Sequence, residues 1–394
     1  MSLKISINSI FLSIYLIIIM LPRHYYNGVW GILENGLLLI GIFLLIIKKY
    51  RPSKWNIVMT LYFIYFTVIT FINQTDMADW HFILSNIKTI VFLFLVEYEV
   101  NRKPNQTISI IFYMLSIFIM LDFLSICFFP KGLYQTEIIW NEWSQSDRAE
   151  WFFGNKNNRI YWYTLWIFLG YIRTIIYKGK LNKFFLYAMM IISPITMILV
   201  KSSTALVCAI IADLAIILGL QKGKQRFSIS AKGMLIGYLV FDVIIIVGAA
   251  TFLGPIVSKL FGKDLTFSGR TLIWPQVILK IWQKPVAGWG YMSGEESGNL
   301  FGNLAFSSAH NQLLNTLWQG GVILLFIVMV LFLFTLNVYR KTTHKMETVA
   351  VLLVLVILVD MTFESILNVR ATWLILLMLY NWGYLYSKYL IRMK

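Results

Sequence analysis

The sequence predicts an all-α polytopic membrane protein with about twelve transmembrane helices. Three observations carry this. Hydrophobic residues make up 59% of the chain and charged residues only 13%, against roughly 25% charged in soluble domains. Runs such as ISIIFYMLSIFIMLDFLSICFF, residues 108–129, hold a single charge and are long enough to cross about 30 Å of hydrocarbon. These runs also lack the apolar–polar alternation of a membrane β-barrel. The net charge of +16 is read as loop charge that fixes orientation rather than as a nucleic-acid surface.

The apolar spans are expected near residues 6–21, 30–47, 55–72, 83–97, 107–129, 159–177, 184–200, 203–220, 234–253, 315–339, 347–363 and 371–387. The first has one Lys before it and no small-residue cleavage pattern after it, so it reads as a retained helix and not a removed signal peptide. The fourth is short and contains Lys88. Only KSS separates the seventh from the eighth, which predicts a tight hairpin. Cys127 and Cys208 both fall inside apolar runs, so neither a disulfide framework nor a zinc site is visible. Residues 1–394 read as one integral membrane domain. No internal repeat is visible, which counts weakly against a transporter built from two related halves.

One alternating set of loops (KKYRPSK, NRKPN, KGKLNK, QKGKQRFSISAK and YRKTTHK) holds most of the loop Lys and Arg. The positive-inside rule therefore puts both termini in the cytoplasm. Two large loops then face outward, residues 130–158 and 254–314. The second is longer than about 15 residues, a length at which loops are usually functional or disordered. Its composition argues against disorder. Val277, Ile278, Ile281 and Trp282 recur at helical spacing, with Gln276, Lys280, Gln283 and Lys284 opposite. That pattern is an amphipathic helix suited to a membrane interface, starting near Ser268 and Pro275 and ending before Pro285. Gly288 and Gly290 follow, where a tight turn and close approach of a ligand to backbone are possible.

Individual residues in this loop carry chemistry. Arg270 offers a guanidinium fork that can hold phosphate oxygens; its bland alternative is an arginine reaching to lipid headgroups. His310 is a general base near neutral pH, or a helix-start residue hydrogen-bonded to backbone. Glu295 and Glu296 can bind sugar hydroxyls or act as a base, against simple solvation.

The order SGRTLIW … KPVAGWGY … HNQLLNTLWQGG, over residues 268–325, resembles the superfamily of O-antigen ligases and Wzy-type O-antigen polymerases. The resemblance rests on Arg270, on Pro285 with Gly288 and Gly290, on His310-Asn311, and on Gly321. GNKNN, residues 154–158, is similar to the family's Gly-x-x-x-Lys-Asn element, and KSSTAL, residues 201–206, to its Ser-Arg-Thr-Ala-Leu element. There the sequence departs: Ser203 stands where an arginine is usual, and Lys201 is the nearby cation. Gln319 replaces a common glutamate, and Leu324 a small residue. Span count and loop position extend the likeness over most of the chain.

The resemblance implies a donor glycan on a polyprenyl diphosphate and an acceptor sugar hydroxyl, with inversion at the anomeric carbon and no metal or other cofactor. Partners would be the lipid-linked donor and acceptor, membrane lipid, and a chain-length regulator or flippase; nucleic acid is not among them. Arg270 would clamp the diphosphate, helped by Lys201, Lys156 or Lys280, and cations there would stabilise the charge on the leaving group. His310 would take the acceptor proton, with Asn311 beside it. Trp274, Trp282, Trp289 and Tyr291 would stack on sugars or anchor the loop in headgroups.

Carboxylates inside or at the edge of spans, namely Asp122, Asp213, Asp242, Asp360 and Glu364, are functional suspects in a membrane. Glu364, Asn368 and Arg370 fall at one outward end and are expected to border the acceptor site. A polymerase of capsule or similar polysaccharide is preferred over a ligase, because the Ile-, Lys- and Asn-rich composition suits low-GC genomes, many of which belong to single-membrane organisms. The competing class is a twelve-span transporter or lipid-linked oligosaccharide flippase, pairing a carboxylate with Lys88 or Arg173. It leaves the structured outer loop unexplained. A peptidoglycan-type polymerase shares the outward loop but little of the pattern.

Overall fold

The computed structural model describes residues 7–21, 28–141, 144–175, 181–221, 230–248, 270–302, 308–337 and 345–393. Helices come first: α1 (Ile7–Met20), α2 (Gly28–Ile47), α3 (Lys54–Ile72), α4 (Trp80–Arg102) and α5 (Pro104–Phe128). Local chemistry marks their starts. The Ser53 side chain accepts from the Asn56 amide at the head of α3, and Asp79 accepts from the Phe82 amide at the head of α4. Each such cap satisfies one orphan amide for about 1 kcal/mol. Pro104 opens α5, where its missing N–H costs nothing. α4 runs well past the short fourth span expected from hydropathy. Its polar positions are absorbed by partners, among them Lys88 on Glu34 at 2.9 Å.

The all-α expectation needs one correction. Residues 134–150 form an antiparallel hairpin, β1 (Tyr134–Asn141) and β2 (Ser144–Glu150), with Tyr134 opposite Glu150. The polar run SQSDRAE of β2 carries no strand pattern of its own. Its backbone groups are satisfied by pairing with β1, which is the general requirement behind sheet formation.

The chain continues through α6 (Ile160–Ile175), α7 (Lys183–Leu199), α8 (Ser203–Leu220), α9 (Ala231–Gly248), α10 (Arg270–Gln283) and α11 (Gly294–Phe301). It ends with α12 (Gln312–Asn337), α13 (Lys345–Phe363) and α14 (Arg370–Met393). The α7–α8 hairpin is as tight as expected, with Lys201 in the left-handed region at φ 57°. Each expected apolar span overlaps a helix among the described residues. Among the described residues, α2, α3, α5, α8 and α12 are long and apolar enough to cross a membrane. The architecture is that of a helical polytopic membrane protein.

The main core gathers around α6, whose residues from Ile160 to Ile172 are buried almost without interruption. α13 lies along α8, and α12 along α3. A second apolar cluster sits under α10: Ile273, Trp274 and Val277 pack with Phe301, Leu314 and Trp318. The amphipathic helix is therefore real, and its expected apolar face is the covered one except at Trp282, with Val277 buried and Ile278 and Ile281 packed on the cluster. Trp282 is 75% exposed, whereas Ile273 and Trp274 are buried. α12 is broken at Gly321, whose φ of 63° and ψ of −165° are not helical.

Candidate functional site

His310 occupies the turn before α12 with φ 47°, a region that costs an ordinary residue roughly 1–2 kcal/mol. Its neighbours hold it there. Ala309 is fully buried, and its carbonyl accepts from Trp274 Nε1 at 3.0 Å. Asn311 is also fully buried and uses both ends of its amide. Its Oδ1 accepts from the Leu314 amide at 2.9 Å, capping α12, while its Nδ2 donates to Asp242 Oδ1 at 2.9 Å and to the Thr362 carbonyl at 3.0 Å. Asn311 is thus an anchor of the histidine turn. The His310 ring itself stays 41% exposed, with Nδ1 3.3 Å from Glu364 Oε2.

Glu364 follows α13 and gathers two further segments. Its Oε1 accepts from Asn157 Nδ2 at 2.6 Å, and Asn157 Oδ1 accepts from Ser202 Oγ at 3.0 Å. The GNKNN and KSSTAL stretches, far apart in the chain, are therefore joined to the histidine through one carboxylate. Buried structure lies beneath the first of them. Arg159 and Asp122 are fully buried side chains, with Arg159 Nε donating to Asp122 Oδ2 at 3.2 Å. Arg159 also donates to the Gly154 carbonyl at 3.2 Å, and the Phe153 amide donates to Asp122 Oδ1 at 3.0 Å. This ion pair shapes residues 153–159. Lys156 and Lys201 are exposed beside the network.

The KPVAGWGY element docks on protein backbone. The Trp289 and Gly290 amides donate to the Trp318 and Gln319 carbonyls at 2.9 and 2.8 Å, and the Val322 amide donates to the Pro285 carbonyl at 2.9 Å. The break at Gly321 leaves these groups accessible. A Cβ on Gly288 would stand 2.5 Å from the Gly320 nitrogen, and one on Gly290 would stand 2.7 Å from the Thr70 Cα. The expected close approach at these glycines is real, but the approaching atoms are those of α12 and α3 where the sequence suggests a ligand. Lys280 and Lys284 lie over the Trp289 ring at 5.8 and 4.1 Å.

Beyond Gly290 the loop clamps onto the α3–α4 connection. Tyr291 stacks on Phe82 with centroids 5.2 Å apart, and its carbonyl accepts from Thr75 Oγ1 at 2.6 Å. The Asp76 amide donates to Glu296 Oε2 at 2.9 Å, and the Ser293 amide donates to Asp76 Oδ1 at 2.9 Å. Burial raises the Glu296 carboxyl above its ordinary value, and its hydrogen bond with the Asp76 side chain adds to that. Burial also works to raise Asp76, but hydrogen bonds from Glu296 and Ser293 outweigh it and leave Asp76 lowered. Glu295 is exposed on the first turn of α11.

A cavity of about 1060 Å³ is lined by Gly154, Asn155 and Asn158 from the 154–158 loop and by Asn368 and Arg370. Glu34 is its buried acid. It accepts from Lys88 Nζ at 2.9 Å and pairs through Oε1 with Arg370 Nη1, while Arg370 Nε donates to Thr89 Oγ1 at 3.1 Å. A second cavity of about 260 Å³ lies next to it and includes Tyr291, Asn368 and Arg370 in its walls.

Residues 188–329 match the family model described as O-antigen ligase. Over that stretch the chain is similar to the O-antigen ligase family. No curated protein matches it. Of the candidate residues, the matched stretch contains Lys201, Lys280, Gly288, Gly290, Glu295, His310 and Asn311, together with Arg270 at the head of α10. The side chain of Arg270 lies outside the described residues, as does Ser268. Lys156, Asn157, Glu364 and Arg370 lie outside the matched stretch, so the histidine within it meets its carboxylate from beyond it.

The structure joins His310, Glu364, Asn157 and Ser202, and gathers Asn158, Asn368 and Arg370 around the cavity. Lys280 is engaged with Trp289. Sequence reading missed Glu34 and Arg159. The signal for each was a charge inside or beside an apolar run, which in a membrane calls for a partner.

Proposed function

We propose that this protein is a member of the O-antigen ligase superfamily and a polymerase of a surface polysaccharide. It moves a glycan from polyprenyl diphosphate to the hydroxyl of an acceptor lipid-linked repeat unit. In this reading twelve helices cross the cytoplasmic membrane, both termini are cytoplasmic, and residues 254–314 work on the outer face. The observation that carries the reading is His310 on Glu364. A carboxylate on Nδ1 fixes the ring with that nitrogen protonated, so Nε2 is the basic atom, and the same carboxylate stabilises the imidazolium that forms.

The step balances without a cofactor. The acceptor oxygen attacks the anomeric carbon, and its proton passes to His310 Nε2. The bond from that carbon to the diphosphate oxygen breaks, and polyprenyl diphosphate departs with its electron pair. One displacement inverts the carbon. Arg270, with Lys201 and Lys156 on neighbouring loops, would stabilise the departing charge.

The test is a deletion strain complemented with wild type or His310→Ala at equal protein levels. Single lipid-linked repeat units should accumulate in the deletion and the variant, with long polymer restored by wild type alone. Long lipid-linked polymer persisting unattached in the deletion would make the protein a ligase. Full restoration by His310→Ala would remove the histidine from the chemistry.

A further inference from the structure

We infer that the cavity of about 1060 Å³ holds the saccharide of the acceptor, and that Asn158, Asn368 and Arg370 are residues that bind it. This rests on the glycan-transfer reading above and assigns one of its two substrates a place.

Position is the first argument. Asn157 bonds to Glu364, and Asn158, the next residue, lines the cavity. Their Cα atoms are about 3.8 Å apart. Also in the lining, Asn368 follows Glu364 by four residues, which limits their separation to about 14 Å. The Leu367 amide donates to Gln312 Oε1 at 2.9 Å, tying that connection to the first residue of α12. Both parts of the lining are thus built from segments that also hold the histidine's carboxylate. A group bound in the cavity is bounded by the same two loops that orient the base.

Size and chemistry are the second argument. The volume lies just above the ~300–1,000 Å³ of small-molecule sites, which suits several sugar rings. Planar amides at Asn155, Asn158 and Asn368 offer paired donor and acceptor atoms suited to ring hydroxyls. Tyr161 and Trp162 supply aromatic wall.

Charge decides between acceptor and donor. A diphosphate needs uncompensated positive charge. Here Lys88 and Arg370 are both spent on Glu34, whose side chain is 4% exposed, and Glu150 adds a second carboxylate to the lining. A polyanion would meet Glu34 inside a low-dielectric wall, where like charges interact strongly. A neutral or singly charged saccharide meets no such penalty.

The experiment uses the full chain in nanodiscs. The probe is the repeat-unit oligosaccharide released by mild acid from lipid that accumulates in the deletion strain. Saturation-transfer NMR reads binding without turnover, so a wrong transfer chemistry does not hide the result. Wild type and His310→Ala should bind alike. Asn158→Ala should bind at least tenfold more weakly, and Asn368→Trp, which fills the cavity from an exposed position, should abolish binding. Equal binding by all four proteins, no binding by wild type, or displacement of a phospholipid instead of the sugar from the cavity would each overturn the assignment. A polymer assay on the same preparations separates the two ideas: sugar binding without polymer formation leaves the cavity assigned and removes the polymerase reading.

Discussion

Glu364 Oε2 stands 3.3 Å from His310 Nδ1 while Glu364 Oε1 takes a hydrogen bond from Asn157. One carboxylate therefore couples His310, the proposed base, to the 154–158 loop. A general base is typically worth 10²–10⁴-fold, so His310→Ala should lower turnover by about that factor. Glu364→Gln keeps an acceptor for Nδ1–H but removes the charge that stabilises the imidazolium. Its turnover should fall by about 10–100-fold with little change in KM, because the loss is felt as the proton moves. An equal loss in KM alone would make Glu364 a substrate contact.

The glycines of the docked element separate crowding from conformation. Gly288, Gly302 and Gly321 all have positive φ. A Cβ on Gly321 would stand 2.1 Å from the Val286 carbonyl oxygen, and one on Gly288 2.5 Å from backbone of α12, whereas nothing lies within 4 Å of one on Gly302. Gly302→Ala should cost only about 1 kcal/mol, the price of a left-handed alanine. Gly288→Ala and Gly321→Ala require backbone to move and should prevent accumulation of folded protein. Thermal unfolding in detergent, with membrane abundance, checks the ranking.

Much of the architecture was legible in the sequence because lipid imposes length and apolarity on each span. Every expected span overlaps a helix, and the amphipathic α10 ends before Pro285 as expected, with Pro275 inside it rather than at its start. Its expected apolar face is covered except at Trp282; Trp282 and Trp274 are equally apolar, and only the neighbour decides which is buried. The hairpin escaped notice because β2 is polar throughout and becomes a strand only by pairing. His310 and Asn311 stood out in a short stretch. The pairing of His310 with a residue 54 positions later did not, since no spacing rule links a loop to the far end of another helix. Glu34 was passed over for the same reason: its two cations come from α4 and α14.

The Asp122–Arg159 pair supports the loop that reaches Glu364, and both side chains are fully buried. Removing one partner of a buried pair costs about 3–5 kcal/mol, because the other charge is left uncompensated. Asp122→Asn should therefore lower the melting temperature and make residues 151–158 more susceptible to protease. Replacing both, as Asp122→Leu with Arg159→Met, should restore most of the stability. Activity should stay low in the double variant, since the Gly154 carbonyl and Phe153 amide still lose the partners that shape the loop.

The contact between Asp76 and Glu296 should respond to pH, and the two shifts set the direction. Glu296 is raised by burial and by its bond with Asp76. Its contribution is complete below the ordinary glutamate value and is lost as pH rises through its raised one. Asp76 is lowered, so its contribution is present above the ordinary aspartate value and is lost as pH falls through its lowered one. The clamp is tightest between these limits, where Glu296 is protonated and Asp76 is ionised, and it loosens toward neutrality as two carboxylates come to face each other. Hydrogen exchange of residues 73–79 and 293–297, corrected for intrinsic rates, should show greater protection at about pH 5 than at about pH 8. Glu296→Gln keeps a donor and an acceptor without the titration, so its protection should be flat over that range. An unchanged slope in Glu296→Gln would assign the pH response to another group.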